Sequence, residues 1–350
     1  MSITNLILTN FKNYESSEFK FEDKFNSLVG NNGVGKTNVL DAIHYLCVGK
    51  SYFHNQDKHN IKYNQDFFRI EGYFHNENII NKVVAKFSVQ TKKVIEFNNV
   101  AYTKLAEHLG KLPLVLICPD DIKLINEGSE ERRRFVDFSI SQLNNNYLNS
   151  LIDYNRILLQ RNTLLKNFNS SFELLNVYNL QLAELGKYIY SQRVDFFNSF
   201  IDTFIRYYNF ISNDKETVGL QYVTDLHNND LLELLIQSEQ QDIFLKRTTK
   251  GIHKDDFNCV LFGQQAKIAA SQGQKKSFLL ALKLAQCELI FNKTAKSPLL
   301  FLDDIFDKLD IGRVAQLLDM LNEKPFGQVI ITDTDMERVK KVLKGCFIVL

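Results

Sequence analysis

With 350 residues, 45% hydrophobic and 24% charged, the chain is long enough for two or three domains and has a globular protein's composition. No apolar run approaches the ~20 residues of a bilayer-spanning helix, so no membrane partner is expected, and Met1-Ser2-Ile3-Thr4-Asn5 lacks the basic-then-apolar pattern of a signal peptide. A formal net charge of +1 excludes nucleic-acid binding through bulk basicity, so any such contact must come from a local patch.

Ile3 to Phe11 alternates imperfectly and predicts an edge strand, and Phe19, Phe21 and Phe25 continue a β pattern. Phe25 to Val29 reads as a short buried strand. Gly30-Asn31-Asn32-Gly33-Val34-Gly35-Lys36-Thr37 then fits G-x-x-x-x-G-K-[ST], and Val39, Leu40, Ile43 and Leu46 repeat at helical spacing. Strand, glycine loop and helix together are the context of a phosphate-binding P-loop. The glycines let the backbone pass close to phosphate oxygens, and successive N–H groups with the helix N-terminus face the anion. Lys36 is expected to reach the β- and γ-phosphates, and the Thr37 hydroxyl to ligate Mg2+.

Phe68 to Phe74, Lys82 to Val89 and Lys93 to Phe97 predict short antiparallel strands, with Asn98-Asn99 as a turn. Leu112 to Cys118 is an apolar run closed by Pro119 and predicts a buried strand. From Asp120 to Ser297 there is no proline, and the helical signals are strongest. Leu148, Leu151, Ile152, Leu158, Leu159 and Leu165 fall near one helical face. Leu174, Tyr178, Leu182, Leu185, Ile189, Phe196, Phe200 and Phe204 predict one amphipathic helix or a pair of them, a helical lobe rather than a long coiled-coil arm. The five cysteines (Cys47, Cys118, Cys259, Cys287, Cys346) are far apart and predict reduced, mostly buried thiols. Ser271 to Asn292 reads as a buried helix, Pro298 to Leu302 and Gln328 to Thr332 as strands, Val314 to Leu321 as a helix, and Phe347 to Leu350 as a last strand. The β-rich ends predict one α/β head of residues 1–122 plus 246–350, with a mainly helical lobe inserted at 123–245.

Two further motifs carry chemistry. Leu299-Leu300-Phe301-Leu302-Asp303-Asp304 runs a buried strand into two carboxylates, at the end where ligands bind in open α/β sheets. Asp303 is placed to hold the Mg2+ shell and Asp304 to orient or deprotonate a water. Ser271-Gln272-Gly273-Gln274 opens the apolar helix, as an ordinary cap or as a second phosphate site. Arg132-Arg133-Arg134, the densest basic run, follows Glu130-Glu131 and reads as a salt-bridged helix start or as a contact for phosphates.

P-loop, S-x-G-Q, Asp-Asp and Leu309-Asp310, in that order, resemble the ABC-type ATPase head, and the likeness narrows to the RecF family, bacterial recombination and gap-repair ATPases related to the SMC proteins. It runs through Asn10-Phe11-Lys12-Asn13-Tyr14, Gly30 to Asn38, Asp120-Asp121-Ile122 with Arg132 to Asp137, Tyr154, Gln160-Arg161-Asn162, Arg247-Thr248, His253 to Asp256, Ala270 to Lys275 and Ala281 to Ala285. It departs at Tyr52-Phe53-His54, where the family has an arginine after Lys-Ser, and at Gly251-Ile252-His253-Lys254, where a lysine replaces an arginine.

The resemblance implies ATP and Mg2+ as cofactors, bound by Gly30, Asn31, Asn32, Gly33, Val34, Gly35, Lys36 and Thr37 of one subunit. Ser271, Gly273 and Gln274 of a second subunit would close over the γ-phosphate in an ATP-dependent homodimer. Lys36, Asp303, Asp304 and Thr332 would be catalytic, with Thr37 and Asp303 at the metal. Thr332 stands where many ABC proteins carry a histidine, and Asp304 where most carry a longer glutamate, which predicts slow hydrolysis. The family's partners are double-stranded DNA with gaps or single-to-double-strand junctions, and RecR, with RecO and RecA downstream, in the cytoplasm on the nucleoid. A soluble nucleotide-binding subunit of an ABC transporter is the alternative. It fits the motifs, but not the 235 positions between Lys36 and Ser271. A P-loop kinase or GTPase would leave the S-x-G-Q helix unexplained.

Overall fold

Several stretches of the chain are apolar without alternation, the pattern of strands covered on both faces. Four such stretches and Phe25–Val29, which also buries Asn26 and Ser27, meet in one five-stranded sheet of wholly parallel pairs, in the order Cys346–Val349, Phe25–Val29, Val329–Asp333, Leu299–Asp303, Leu114–Ile117. A computed structural model describes residues 1–76, 79–167, 171–213, 215–305, 316–317, 320–321, 326–342 and 345–350. In it every residue of Phe25–Val29, Leu114–Ile117, Leu299–Asp303 and Val329–Asp333 is buried.

The chain divides into two units, Met1–Asp121 with Leu280–Leu350, and Ile122–Leu279. The first unit holds the parallel sheet, the helix Lys36–Val48 and a six-stranded antiparallel sheet. That second sheet runs Tyr14–Lys20, Ser2–Phe11, Phe67–Asn76, Ile79–Ser88, Thr91–Phe97, Val100–Ala101. Ser2–Phe11 is therefore an interior strand, not the expected edge: it pairs with Tyr14–Lys20 on one side and Phe67–Asn76 on the other. Its imperfect alternation reflects a β-bulge between Ile3 and Asn5; beyond it, buried Leu6, Leu8 and Asn10 alternate with half-buried Asn5, Ile7 and Thr9. Asn98 and Asn99 both take left-handed backbone (φ 50° and 66°), as the turn reading requires. Of the helix expected over Val314–Leu321, only 316–317 and 320–321 are described, and these are helical.

The second unit is mainly helical. Phe172–Ser212 is a single uninterrupted helix of 41 residues, about 61 Å at 1.5 Å per residue. It packs on Asn145–Lys166, and beside the helices lies a small sheet ordered Gln264–Gln265, Asp256–Leu261, Val218–Val223. Residues 246–279, which the sequence pattern assigned to the head, group here because Asp256–Leu261 pairs with Val218–Val223 from Val223 down to Val218. The buried face of Asn145–Lys166 is also not the expected leucine stripe. Leu159 is 69% exposed and Ile152 50%, whereas Tyr147, Tyr154, Ile157, Arg161 and Leu165 are buried.

Two buried arginines explain that exchange of faces. Arg161 is fully buried and donates to Asn179 Oδ1 (2.8 Å), Asp242 Oδ2 (2.7 Å) and Thr248 Oγ1 (2.8 Å). Arg193 donates to Asp255 Oδ2 and the Ile252 carbonyl, both at 2.7 Å, and to Asp137 Oδ1 at 2.9 Å. Fixed acceptors offset much of the cost of burying each guanidinium, although Arg161 Nη2 has no hydrogen-bond partner among the described residues. The Arg132-Arg133-Arg134 run has similar internal uses: Arg132 forks onto Asp256, Arg133 donates to the Asp255 carbonyl, and Arg134 pairs with Glu130 and Glu131. This is the salt-bridged helix start. All five thiols are free, and four of them are buried.

Two outcomes follow from these buried groups. Asp242→Ala strands the Arg161 cation and lowers stability by about 3–5 kcal/mol, read from the urea midpoint of the second unit. His44, buried in the P-loop helix, is held down at about 4, chiefly by burial. Below about pH 6.5 the unfolded chain binds a proton that the folded chain refuses. Stability should therefore fall as pH drops from about 6.5 toward 4, by up to about 1.4 kcal/mol per pH unit from this residue. His44→Gln flattens that limb of the stability-against-pH curve.

Candidate nucleotide site

The sheet register builds the site. Phe25–Val29 lies next to Val329–Asp333, which lies next to Leu299–Asp303, and Asp303 pairs directly with Thr332. All three strands are parallel, so Gly30, Asp304 and Thr332 emerge or end at the same edge.

At that edge the loop turns through two left-handed glycines, Gly33 (φ 84°) and Gly35 (φ 114°), and Gly35 is the N-cap of Lys36–Val48. A Cβ on Gly35 would lie 2.5 Å from Asn13 Nδ2 and 2.6 Å from the Tyr14 hydroxyl oxygen, so only glycine fits there. Asn13 Nδ2 donates to the Val34 carbonyl (3.0 Å), and Asn38 Nδ2 donates to Asn13 Oδ1 (2.8 Å). Asn13, Tyr14 and Asn38 thus back the loop. Sequence reasoning placed Asn13 and Tyr14 in a family motif without giving them this work, because the contact spans 21 residues of chain.

Lys36 is 5% exposed, and its Nζ donates to the Gly30 carbonyl (2.7 Å) and the Asn31 carbonyl (3.0 Å). The ammonium is curled over its own loop, where incoming phosphate oxygens can replace the carbonyls. Thr37 Oγ1 donates to both oxygens of Asp303, at 2.9 and 3.1 Å, and Thr332 Oγ1 donates to Asp303 Oδ1 at 2.7 Å. Burial pushes the Asp303 carboxyl up, against the two hydroxyls and Lys36, which favour its charged form. A buried carboxylate flanked by hydroxyl oxygens is a hard-cation donor set. Asp304 follows in left-handed backbone (φ 47°), and its N–H donates to Thr332 Oγ1 at 2.9 Å. Thr332 Oγ1 therefore holds both residues, donating to the Asp303 carboxylate and accepting from the Asp304 backbone N–H.

Ser271, Gly273 and Gln274 lie in the second unit, at the start of the helix Gln272–Thr294. Gln274 N donates to Ser271 Oγ (3.2 Å) while Ser271 N donates to Gln274 Oε1 (2.7 Å), a reciprocal capping box. Leu309-Asp310 lies outside the described residues. At the family departure, the Tyr52 hydroxyl bonds to Asp121, which also pairs with Lys283 at 3.1 Å, so tyrosine here serves a buried polar cluster in the first unit.

A glycine loop between a buried parallel strand and a helix, with paired carboxylates one strand beyond its neighbour, is the architecture of an ABC-type P-loop ATPase head. Residues 2–348 match the RecF/RecN/SMC N terminal domain family. The chain is 44% identical to the DNA replication and repair protein RecF of Flavobacterium johnsoniae, covering 99% of this chain and 97% of that one. It is 42% identical to the protein of that name from Bacteroides thetaiotaomicron, covering 98% and 94%. Among solved structures, the recombination mediator protein RecF-ATPrS of the RecFOR pathway superposes with a TM-score of 0.90 at 28% identity, covering 100% and 96%. An SMC head bound to the C-winged helix domain of ScpA shares the fold, with a TM-score of 0.58 at 17% identity over 97% and 91%. The chain belongs to the RecF family. The transporter alternative is not favoured by these relatives.

Removing the Asp303 charge tests the site's electrostatics without any ligand. Its folded pKa is raised, so ionising it at neutral pH costs folding energy. Asp303→Asn should raise the thermal midpoint of the ligand-free protein at pH 7. The gain should shrink as pH falls through the carboxylate range, where the wild-type group becomes protonated in both states.

Proposed function

We propose that this chain is an ATP-dependent DNA-binding protein of recombinational gap repair and replication-fork maintenance, working as a slow ATPase switch. The observation that carries the reading is the meeting of Lys36, Thr37, Asp303, Asp304 and Thr332 at one sheet edge. Full-length relatives named DNA replication and repair protein RecF, and a solved RecF-ATP structure, support it.

The loop residues Gly30 to Thr37 bind the triphosphate. Lys36 exchanges its two carbonyl partners for β- and γ-phosphate oxygens, and the N–H groups at the helix start face the same anion. Thr37 and Asp303 are the residues that would hold Mg2+, which, when bound, neutralises charge at the phosphates. Asp304 orients the attacking water. Its carboxylate is one methylene shorter than glutamate and reaches less far, so hydrolysis is slow and times the switch. Ser271, Gly273 and Gln274 of a second copy grip the γ-phosphate, so that ATP joins two copies and ADP releases them.

Duplex DNA with gaps or strand junctions is the load on this switch, and RecR is the protein partner, with RecO and RecA acting downstream, in the cytoplasm on the nucleoid. Arg132 and Arg134 are left out of the DNA surface because their charges are paired within the second unit, and Arg133 because it donates to the Asp255 carbonyl there. Among the described residues no helix is long and apolar enough to cross a membrane.

The test is a gel-shift series on gapped duplex with ATP and ADP, run beside light scattering. ATP should give a retarded complex and a doubled mass, and ADP neither. Lys36→Ala removes a charge-assisted hydrogen bond of roughly 1.5–3 kcal/mol and should weaken ATP binding by about 10- to 150-fold, abolishing both signals at working nucleotide concentrations. A chain that stays monomeric with ATP refutes the switch.

A further inference from the structure

The capping box that opens the helix Gln272–Thr294 does not stand alone. Gln274 Nε2 donates to Glu216 Oε1 at 2.9 Å, and the Tyr208 hydroxyl donates to Glu216 Oε2. Tyr208 lies in the last turns of the 41-residue helix Phe172–Ser212. Its ring is fully buried against Phe278, one turn beyond Gln274, with centroids 4.6 Å apart. Phe204 stacks on the same ring of Phe278 at 5.8 Å. The long helix ends at Asn213 in left-handed backbone (φ 56°), which turns the chain toward Val218–Val223 and sets Glu216 beside Gln274. All of these residues lie within the second unit.

We propose that Glu216, backed by Tyr208, is a positioning residue for Ser271. The inference rests on the reading above, in which Ser271 grips a partner's γ-phosphate. A carboxylate accepts and cannot donate, so it draws the NH2 of Gln274 to itself and turns Oε1 toward the Ser271 N–H. With that N–H bonded and its own oxygen accepting from Gln274 N, the Ser271 hydroxyl keeps its proton for an outside acceptor. The serine is thus presented as a hydrogen-bond donor before the phosphate arrives, and the gain lies in preorganisation. Nothing in the S-x-G-Q pattern identifies Glu216, which stands 58 residues from Gln274 and is brought to it only by the fold.

The experiment uses the full chain and reads two quantities: ATP affinity at protein concentrations too low for pairing, and the concentration of half-maximal ATP-dependent pairing by light scattering. Glu216→Ala should leave the first unchanged. Loss of a cap or one hydrogen bond corresponds to about threefold to tenfold per site, and a two-fold pair contains the contact twice, so pairing should weaken by about 10- to 100-fold. Glu216→Gln, whose amide can still accept from Gln274 and meet the Tyr208 hydroxyl, should restore most of the loss. Tyr208→Phe, which keeps the ring against Phe278, should give a smaller loss in the same direction. Because Glu216 acts through Gln274, Glu216→Ala should add nothing in a Gln274→Ala background. Unchanged or tighter pairing in Glu216→Ala overturns the inference, as do effects of the two substitutions that simply multiply. Ser271→Ala is the control: if it pairs like wild type, the γ-phosphate reading itself fails and the inference falls with it. If it weakens pairing and Glu216→Ala does not, only the role of Glu216 is lost.

Discussion

One buried carboxylate depends on the register of the parallel sheet around it. Asp303 is 5% exposed and sits at the end of an apolar strand, where an isolated charge would be costly. It is tolerated because Thr37 and Thr332 bring two hydroxyls onto it. Thr37 is 266 residues away in sequence and Thr332 is 29. The three meet only if Phe25–Val29 and Leu299–Asp303 both pair in parallel with Val329–Asp333 in the observed register. A slip of one residue would turn Asp303 or Thr332 to the opposite face. The site therefore reports on the register of these three strands, which hold a buried carboxylate at some expense in ligand-free stability.

The second unit meets its buried charges differently. Arg161 and Arg193 are each fixed by acceptors from distant segments, and these acceptors tie the two long helices to residues 242–255. Such nodes add little net stability over well-packed apolar residues, but an unpaired one is severely destabilising. They favour a single arrangement of the helices over near alternatives that would strand a guanidinium. The uninterrupted helix Phe172–Ser212 carries Asn179 and Arg193 on its buried side, so its register against Asn145–Lys166 is set by polar contacts as much as by packing.

Much of the first unit was legible in the sequence because its signals are local. A glycine loop between a short strand pattern and a helical repeat reads as strand-loop-helix, and the short apolar runs Leu114–Ile117 and Leu299–Leu302 read as buried strands. The interior position of Ser2–Phe11 was not legible, since a bulged interior strand and an irregular edge strand break alternation in the same way. The lobe was misread where polarity and burial part company. In Asn145–Lys166 the leucines suggest a core face, yet Tyr147, Tyr154 and Arg161 occupy it, because their hydrogen-bond partners lie up to 99 residues away. No window of local sequence contains that information. The same holds for Asn13 behind the P-loop and Glu216 behind Ser271, where the chemistry of each residue is ordinary and only its neighbour makes it functional.

The two halves of the proposed nucleotide clamp are built from separate stretches of chain. The loop, the metal-facing hydroxyl and the paired carboxylates come from residues 1–121 and 280–350, while the serine, its capping glutamine and the residues that hold them come from 122–279. Each half already holds hydrogen bonds of its own in the ligand-free chain. On this reading a copy presents one loop and one serine, and a two-fold pair uses both of each, with no half left over. Such an interface closes at two copies and does not propagate. Its strength is set by how firmly each half is held before they meet, because restraint already present in the separate chains need not be imposed on association. In the proposed switch that matters more than speed of chemistry, because hydrolysis at Asp304 would set how long a pair lasts and the rigidity of the serine half whether it forms.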